Sequence, residues 1–388
     1  MSKQVSLTYS NDYSSKTLEN SVKDAVAQLG VANFIKPKMK VLIKVCLPNA
    51  LGADTAEITH PAVIKAVSNW VNEMGAECII ADSPYGKYSQ DNLESVYLNT
   101  GMLDLANQTK CQLNRDLSTF IIPTPNGVIT KSVTLLDIVN KVDAIINIGK
   151  LKIDENLGYI GASANLFGLV PGEMKTQVLS RLMNHKDFHN YILDVYDVLK
   201  DKIVFNIIDG VVALEHDNTQ RMMCCLGVAQ NMFSLDAAMI DILNIGYKNT
   251  ILRSAKNRGL FDFEKGYKTI NEKVEKFKVE DFNIGEFNEA TLLNSNAKEK
   301  AKYFKKHHLR MKIEKFKCKG CAVCSKICPT GAITMQTDSK GELYAEINYS
   351  KCIYCNKCHT ACPYKVVDVI NPIGNRRLAK EIDKQNNK

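Results

Sequence analysis

Short apolar runs alternate with amphipathic segments of helical length from about residue 38 to residue 250. The run KVLIKV at 40–45 predicts a buried strand, and segment 60–74 predicts a helix with Val63, Val67 and Trp70 on one face. Nearly pure apolar strands separated by helices are typical of parallel sheets covered on both faces. We therefore predict an α/β domain with a mainly parallel sheet. Further strands are predicted at 77–81, 144–148 and 203–208, and a further helix near 188–199.

Polar residues follow the predicted strands at their carboxyl ends, where parallel sheets bind their ligands. We expect the lysines among them to supply positive charge for a small anionic substrate, and the other side chains to bind it or to transfer protons. The lysines are Lys44, Lys150 and Lys152, and the other candidates are Asn49, His60, Asp82 and Asp209. Two alternatives remain: a lysine at a strand end can be merely solvated, and His60 can instead cap the helix that follows it.

Eight of the 13 cysteines form two copies of the run C-x2-C-x2-C-x3-C-P near the end of the chain. The first copy contains Cys318, Cys321, Cys324 and Cys328, and the second contains Cys352, Cys355, Cys358 and Cys362. This is the ligand run of bacterial two-cluster ferredoxins, in which the fourth cysteine of each run ligates the other cluster. We therefore predict two 4Fe-4S clusters, with Cys362 completing the first and Cys328 the second. Zinc is the alternative, but zinc sites prefer C-x2-C pairs separated by longer spacers.

The length of 388 residues suits one large and one small domain. We assign residues 1–295 to the α/β domain, 296–310 to a basic connector, 311–370 to a small α+β two-cluster ferredoxin-like domain and 371–388 to a charged tail. Inside the small domain, the segment after the first cysteine run predicts a short strand, which pairs as a hairpin with a second strand at 344–347.

The net charge of +8 does not indicate nucleic acid binding, because part of it surrounds the predicted clusters. Segment 311–365 contains nine lysines and four acidic residues, while thiolate-bound clusters carry negative charge. The lysines can offset that charge, or they can form a basic docking face for an acidic electron carrier. We expect a redox partner such as a ferredoxin, a flavodoxin or a reductase.

The first residues lack the apolar core of a signal peptide, and no apolar run is long enough to span a bilayer. We therefore expect a cytoplasmic protein whose other cysteines are buried and reduced. These cysteines are Cys46, Cys78, Cys111, Cys224 and Cys225. His185 and His189 are four residues apart, and we expect a solvent-facing or capping pair, with a pair of metal ligands as the alternative.

A series of short motifs occurs in a fixed order along the α/β part. The motifs are Lys44 to Asn49, Thr59-His60-Pro61, Asp82-Ser83-Pro84, Lys150-x-Lys152, Asn165-Leu166-Phe167-Gly168, Val170-Pro171-Gly172, Asp209-Gly210 and Leu235-Asp236-Ala237. In these motifs the chain resembles the DUF362 family, whose members often carry a C-terminal two-cluster ferredoxin domain. The resemblance covers about 38–250 and 311–365, and it implies an iron–sulfur redox role.

The chain departs from the family pattern at three positions. The family usually has Lys-x-His where this chain has Lys150-Leu151-Lys152, and a lysine where this chain has Ala164. The Gly-Pro that tends to follow the Asp-Gly segment is missing after Glu215. These departures indicate an altered substrate or a weakened activity.

Three functions are compatible with these patterns. The favoured one is an iron–sulfur oxidoreductase that passes low-potential electrons through two 4Fe-4S clusters to a substrate, anionic in our prediction, at the α/β domain. The alternative is a non-catalytic electron carrier or adaptor that docks a partner redox enzyme. The third is a factor in cofactor or cluster assembly. A pocket lined by lysines favours the enzyme, and a flat apolar face near the clusters favours the carrier.

Overall fold

The computed structural model describes residues 2–154, 157–182, 185–247, 250–285, 310–328, 331–352, 358, 362–364 and 366–370. The strands of its N-terminal part are β1 (Gln4–Tyr9), β2 (Lys40–Lys44), β3 (Glu77–Ala81), β4 (Gln112–Leu113), β5 (Thr119–Pro123), β6 (Ser132–Leu136), β7 (Ala144–Asp154), β8 (Gly158–Ile160), β9 (Ile203–Leu214), β10 (Gln220–Ala229) and β11 (Lys268–Asn271). Strands β5 and β6 form a separate antiparallel hairpin, and the other nine form one sheet.

The sheet is mixed and has a parallel central block. Its order is β11-β1-β10-β9-β7-β2-β3-β4, with β8 paired to β7. The neighbours from β9 through β7, β2 and β3 to β4 are parallel. Strand β10 is antiparallel to both β1 and β9. The predicted α/β architecture is confirmed, and the antiparallel strand β10, followed by the parallel pair β1 and β11, extends the sheet beyond β9.

Helices cover the sheet and are α1 (Ser15–Gln28), α2 (Pro61–Glu73), α3 (Gln90–Asn99), α4 (Met102–Thr109), α5 (Ala162–Asn165), α6 (Gly172–Arg181), α7 (His185–Leu199), α8 (Met232–Leu243) and α9 (Ile251–Asn257). The sequence explains α2 well. It begins with Pro61, whose missing N–H needs no partner there, and it buries Val63, Val67 and Trp70 as predicted. Gly75, with φ of 74°, ends it in a left-handed conformation that favours glycine.

Two central strands are longer than the apolar runs that predicted them. Strand β7 continues from residue 148 to Asp154, and β9 continues from residue 208 to Leu214. The added residues include Lys150, Lys152 and Asp209, which are buried. Their charges are paired inside the protein, and the backbone therefore stays extended and buried beyond the apolar run.

Cys78 and Cys111 are joined by a disulfide bond, so the expectation that both are reduced is wrong. The bond ties β3 to the residue preceding β4, two neighbours at the edge of the sheet. Both side chains are buried, as expected for small apolar groups. In the ranges given above, no helix is long and apolar enough to cross a membrane.

The small C-terminal part contains β12 (Arg310–Ile313), a short helix α10 (Val323–Ile327), β13 (Ile333–Thr337), β14 (Leu343–Ile347) and β15 (Val367–Ile370). Strands β13 and β14 form the predicted antiparallel hairpin, and β12 pairs with β15. The predicted connector at 296–310 lies outside the described residues except for its last residue, which begins β12. The predicted tail at 371–388 also lies outside them.

Candidate functional site

A pocket of about 590 Å³ opens beside the carboxyl ends of β2 and β3. Its polar lining residues include Cys46, Asn49, Glu57, Asp82, Lys152, Asp154, Asn165 and Lys175. Its apolar lining residues include Leu51, Tyr85, Ile153, Leu157, Ile160, Phe167 and Leu214. The pocket thus lies where ligands of parallel sheets bind, and three of the candidates, Asn49, Asp82 and Lys152, face it.

A buried ion pair lies beneath the pocket. Lys44 Nζ is 3.2 Å from Asp82 Oδ1, with the lysine side chain 0% and the aspartate side chain 4% exposed. Lys44 also donates to Asn165 Oδ1 at 3.1 Å, and Asp82 accepts backbone N–H groups of Leu47 and Ser83. A Cβ atom at residue 168 would collide with both charged groups, which explains the glycine there. Lys44 is therefore held by protein groups.

Lys152 forms a second ion pair at the pocket wall. Its Nζ is 2.7 Å from Glu57 Oε2 and 3.0 Å from the Glu57 carbonyl oxygen. Burial lowers the pKa of the Lys152 ammonium, but the attraction of Glu57 and the hydrogen bond to Glu57 outweigh burial and raise that pKa. Lys152 is therefore charged at neutral pH, and Glu57 offsets its charge.

Cys46 lines the pocket and is influenced electrostatically by both ion pairs. Burial raises the pKa of its thiol, although Lys152 and Lys44 lower it. The thiol is therefore neutral at physiological pH. A neutral, buried thiol is a weak nucleophile, because the thiolate is the reactive form.

Lys150, His60 and Asp209 form a separate cluster with Tyr13. Lys150 Nζ is 2.9 Å from Asp209 Oδ2 and 3.0 Å from the Tyr13 hydroxyl, which donates to Asp209 Oδ1 at 2.9 Å. The rings of Tyr13 and His60 stack with centroids 3.6 Å apart. These residues are not among the described lining residues of the pocket. The structure therefore does not bring the three predicted lysines to one ligand.

His60 caps α2, the alternative weighed from the sequence. Its Nδ1 accepts the backbone N–H of Ala62 at 3.2 Å, and its own backbone N–H donates to Asp209 Oδ2 at 2.9 Å. Burial lowers the pKa of His60 to about 4, against the attraction of Asp209. The imidazole is therefore neutral at physiological pH, as a hydrogen-bond acceptor must be.

Lys175 is a pocket residue that the sequence did not single out. It lies in the first turn of α6, is 3% exposed, and donates to the carbonyl oxygen of Ser83. Its Nζ is 5.0 Å from the ring centroid of Tyr85 and 5.6 Å from that of Phe167. Burial lowers its pKa to about 8. A lysine in an amphipathic segment usually faces solvent, and only its position three residues after Gly172 of the Val-Pro-Gly motif could have drawn attention to it.

The Leu-Asp-Ala motif has a structural role. Asp236 accepts the backbone N–H groups of Ala162 and Ser163 at 2.7 and 3.0 Å, and the Tyr159 hydroxyl at 3.0 Å. These bonds satisfy N–H groups at the start of α5, which have no partner within the helix. The carboxylate thereby fixes the segment that carries Asn165 into the pocket.

The two histidines of α7 are both buried, so the expectation of a solvent-facing pair is wrong. The ring centroids of His185 and His189 are 6.3 Å apart. Burial and, to a smaller extent, the charge of His185 together lower the pKa of His189 to about 3. Across the described part of the chain, no three or more His, Cys, Asp or Glu side chains are grouped so that they could hold a single metal ion.

Four thiols line one small cavity in the C-terminal part. They belong to Cys318, Cys321, Cys324 and Cys362, which is the crossed set predicted for the first cluster. Ile313, Ala345, Val366 and Val367 add apolar side chains to its wall, which also contains Lys319, Ala322 and Tyr364. Four thiolates on an apolar wall fit a 4Fe-4S cluster, whose ligands are cysteine thiolates and whose potential depends on solvent exposure.

The second predicted ligand set is described in part. Cys352 and Cys358 are buried, and Cys328 Sγ accepts the backbone N–H of Ala332 at 3.2 Å. Hydrogen bonds to ligand sulfurs are one of the features that tune cluster potentials. Cys355 lies outside the described residues.

One ion pair links the two parts of the chain. Lys87 Nζ is 3.0 Å from Asp368 Oδ1. Lys87 belongs to the loop after β3, which also supplies Asp82 and Tyr85 to the pocket. Asp368 follows Val367, which lines the thiol cavity. The loop after β3 therefore connects the pocket with the part that contains the thiol cavity.

Comparisons with known proteins agree with this division. Residues 41–241 match the family described as "Domain of unknown function (DUF362)", and residues 317–366 match the family described as "4Fe-4S dicluster domain". Both matches confirm the resemblance drawn from the sequence motifs. Residues 317–366 therefore form an iron–sulfur domain of the electron-transfer type.

The curated relatives cover either most of this chain or a short part of it. The thylakoid-associated protein sll1697 of Synechocystis is 28% identical over 263 residues, which cover 63% of this chain and 76% of the relative. NADH-quinone oxidoreductase subunit I 2 of Geobacter metallireducens is 36% identical over 78 residues, covering 19% of this chain and 57% of that protein. The arsenate respiratory reductase iron-sulfur subunit ArrB of Shewanella is 46% identical over 52 residues, covering 13% and 20%.

Proposed function

Because this protein belongs to the DUF362 family and carries a 4Fe-4S dicluster domain, we propose that it is an iron–sulfur oxidoreductase. Its substrate is a small organic molecule held in the pocket of the α/β domain. The observation that carries this proposal is the loop after β3, which lines the pocket with Asp82 and Tyr85 and binds the iron–sulfur part through Lys87. A protein that served only as a carrier would not need a pocket of about 590 Å³ beside that loop.

The cysteines hold two 4Fe-4S clusters in this proposal. Cys318, Cys321, Cys324 and Cys362 hold the first, since their thiols line one cavity. Cys328 completes the second with the first three cysteines of the second run. When bound, such clusters accept and donate single electrons.

The pocket residues have binding and positioning roles in this proposal. The Lys44–Asp82 and Lys152–Glu57 pairs fix the polar wall, because each charge is held by protein groups and is not free to follow a ligand. The apolar residues exclude water from the bound molecule, which strengthens the electrostatic interactions inside the pocket.

A partner protein must supply or remove electrons. Two relatives are named as an oxidoreductase subunit and as the iron–sulfur subunit of a reductase, which supports a redox partner for this protein. The lysine-rich segment 311–365 offers a basic face for an acidic carrier such as a ferredoxin or flavodoxin.

A non-catalytic carrier or adaptor is the second candidate function. It is favoured by apolar exposure near the thiol cavity, because Phe316 is 100% and Tyr364 is 52% exposed. Exposed aromatic residues are typical of protein interfaces. In this alternative the α/β domain docks a partner enzyme and the pocket plays no part in electron transfer.

Experiments on anaerobically purified protein distinguish the two functions. Eight ligating thiolates predict about eight irons and eight acid-labile sulfides per chain. After reduction with dithionite, small molecules and an oxidised ferredoxin are added separately, and reoxidation is followed by absorbance and paramagnetic resonance. The oxidoreductase predicts that a small molecule reoxidises the protein and is itself reduced.

Filling the pocket provides the matched variant. Ala50→Trp places a large side chain in the pocket wall, whereas Ala27→Trp places the same side chain on the exposed face of α1. We expect Ala50→Trp to abolish reoxidation by the small molecule and to leave reoxidation by ferredoxin intact, while Ala27→Trp changes neither. Reoxidation by ferredoxin alone in the wild-type protein would support the carrier.

A further inference from the structure

Lys175 differs from the lysines predicted for the site, because no carboxylate in the described part of the chain offsets its charge within ion-pair distance. Lys44, Lys150 and Lys152 are each paired with a carboxylate at 3.2, 2.9 and 2.7 Å. Lys175 has one hydrogen bond, to the Ser83 carbonyl oxygen, and two aromatic contacts among the described residues. An ammonium group has three N–H donors. Lys175 therefore retains donors and an uncompensated charge at the pocket wall.

The carboxylates nearest to Lys175 are engaged elsewhere. Asp82 is bound by Lys44 and by two backbone N–H groups. Glu173 accepts the backbone N–H of Tyr88 at 2.7 Å. The charges of Asp82 and Glu173 raise the pKa of Lys175 and that of Lys44 lowers it, while burial has the largest effect and leaves that pKa at about 8. The amine is thus mostly protonated at neutral pH although it is buried.

Two further polar atoms near Lys175 are buried without a partner. In the described part of the chain, Asn49 Oδ1 and Ser83 Oγ have no hydrogen-bond partner. The backbone N–H of Tyr85 donates to the Pro48 carbonyl oxygen at 2.8 Å, which holds the residue before Asn49 against the aromatic neighbour of Lys175. Unsatisfied buried polar atoms are rare in native proteins and cost free energy. Of these two residues, Asn49 lines the pocket and Ser83 does not, so a ligand in the pocket can satisfy only Asn49 Oδ1.

Part of the pocket wall is apolar. Leu157, Ile160 and Leu214 are buried residues that line it, and its volume of about 590 Å³ exceeds what a carboxylate group fills. A ligand therefore needs an apolar portion beside its charged group, since apolar walls gain from contact with apolar surface.

From this arrangement we propose that the pocket binds an organic carboxylate with a hydroxyl or amino group next to the carboxylate and an apolar chain. The carboxylate lies against the Lys175 ammonium. The neighbouring donor group binds Asn49 Oδ1, and the apolar chain lies along Leu157 and Ile160. This inference rests on the proposed function only in using the same pocket, and it names the class of substrate.

Binding of three probes to the wild-type protein tests the ligand class by titration calorimetry under anaerobic conditions. The probes are 2-hydroxyoctanoate, octanoate and octanamide. We expect octanoate to bind at least about tenfold more tightly than octanamide, because only octanoate pairs with a buried ammonium. We expect 2-hydroxyoctanoate to gain about threefold to tenfold over octanoate through one more hydrogen bond. Equal affinities of octanoate and octanamide, or no binding of any probe, would overturn the proposal.

Variants assign the two interactions to their residues. Lys175→Met keeps most of the side-chain volume without the charge and should remove the preference for octanoate over octanamide. Asn49→Ala should remove the preference for 2-hydroxyoctanoate over octanoate and leave the first preference unchanged. The exposed Lys23 provides the control, because Lys23→Met removes the same charge from α1, which does not line the pocket. Octanoate affinity that is equal in wild type and Lys175→Met contradicts the assignment.

Two measurements keep the test decisive. Unchanged cluster absorbance in each variant shows that the protein is folded, and the pocket-filling Ala50→Trp should abolish binding of every probe if Lys175→Met fails to fold. Reoxidation of reduced protein by the same probes is recorded separately. If the probes bind but no small molecule reoxidises the clusters, the oxidoreductase is contradicted and the carboxylate site stands. If only uncharged molecules reoxidise the clusters, the carboxylate site is contradicted and the oxidoreductase stands.

Discussion

The Lys44–Asp82 pair offers the sharpest test of how the pocket is held together. Both side chains are almost completely buried, at 0% and 4% exposed. Asp82→Asn keeps the shape of the residue and removes its negative charge. Lys44 would then keep only neutral acceptors, the Val45 carbonyl oxygen and Asn165 Oδ1. Breaking a buried pair on one side leaves an uncompensated charge and costs about 3–5 kcal/mol.

That free energy translates into a shift of the unfolding temperature. For a domain of this size, about 1 kcal/mol lowers Tm by about 2 °C, and we therefore expect Asp82→Asn to lower it by about 6–10 °C. Circular dichroism under anaerobic conditions measures the shift. All variants are heated at one scan rate, because cluster loss makes unfolding irreversible and the apparent Tm then depends on that rate.

An exposed pair provides the matched control. Lys23 and Glu73 are 2.7 Å apart with side chains 40% and 55% exposed, and such pairs contribute about 0–1 kcal/mol. Glu73→Gln should therefore lower Tm by about 2 °C at most. The double variant Lys44→Met with Asp82→Asn should recover part of the lost Tm, because it also removes the unpaired charge of Lys44. If Asp82→Asn and Glu73→Gln lower Tm equally, the ion pair does not hold the pocket as argued.

Two further predictions concern the thiols and the buried histidine. Cys362→Ser should remove about half of the iron and leave the paramagnetic signal of one cluster. Cys46→Ser is the control and should remove no iron. Full iron content in Cys362→Ser would refute the crossed arrangement. The pKa of His189 is lowered to about 3, so below pH 6.5 the unfolded protein binds a proton that the native protein does not, and stability falls as pH falls. Between pH 7 and 5 this amounts to about 2 kcal/mol, and the fall in Tm over that interval should be smaller in His189→Gln than in wild type.

Local patterns were sufficient to predict the starts of the central strands. Runs beginning at 40, 77, 144 and 203 coincide with the first residues of β2, β3, β7 and β9. The end of β7 was missed because it contains two lysines, and the end of β9 because Asp209-Gly210 interrupts the apolar run. The burial of Lys152 in β7 depends on Glu57, which lies far away in sequence. Hydrophobic periodicity predicts which apolar residues are buried, but it does not predict which charged residues are buried in ion pairs.

Some of the residues that line the pocket could be predicted from the sequence, and others could not. Asn49, Asp82 and Lys152 follow predicted strands, and the topology of a parallel sheet brings strand ends together. Lys150 lies in the same strand as Lys152, yet its ammonium group binds Asp209 and Tyr13 outside the pocket. Residues two positions apart in a regular strand face the same side, but the pairing of β7 with β9 shifts register between these two lysines. Lys175 was missed because it lies on a helix, whose approach to the sheet no local pattern encodes.

Whether each of these lysines is paired with a carboxylate depends on the element that carries it. Lys44 and Lys152 lie on adjacent strands, and loops at the same sheet edge supply their carboxylates, so each ion pair joins two backbone segments. Lys175 arrives on α6, which begins at Gly172. A Cβ atom at residue 172 would collide with the carbonyl oxygens of Pro84 and Gly86, so glycine permits the close approach of α6 to the loop after β3. This close approach places the Lys175 ammonium group at the pocket wall without a paired carboxylate. In our proposal, the carboxylate of a ligand balances its charge.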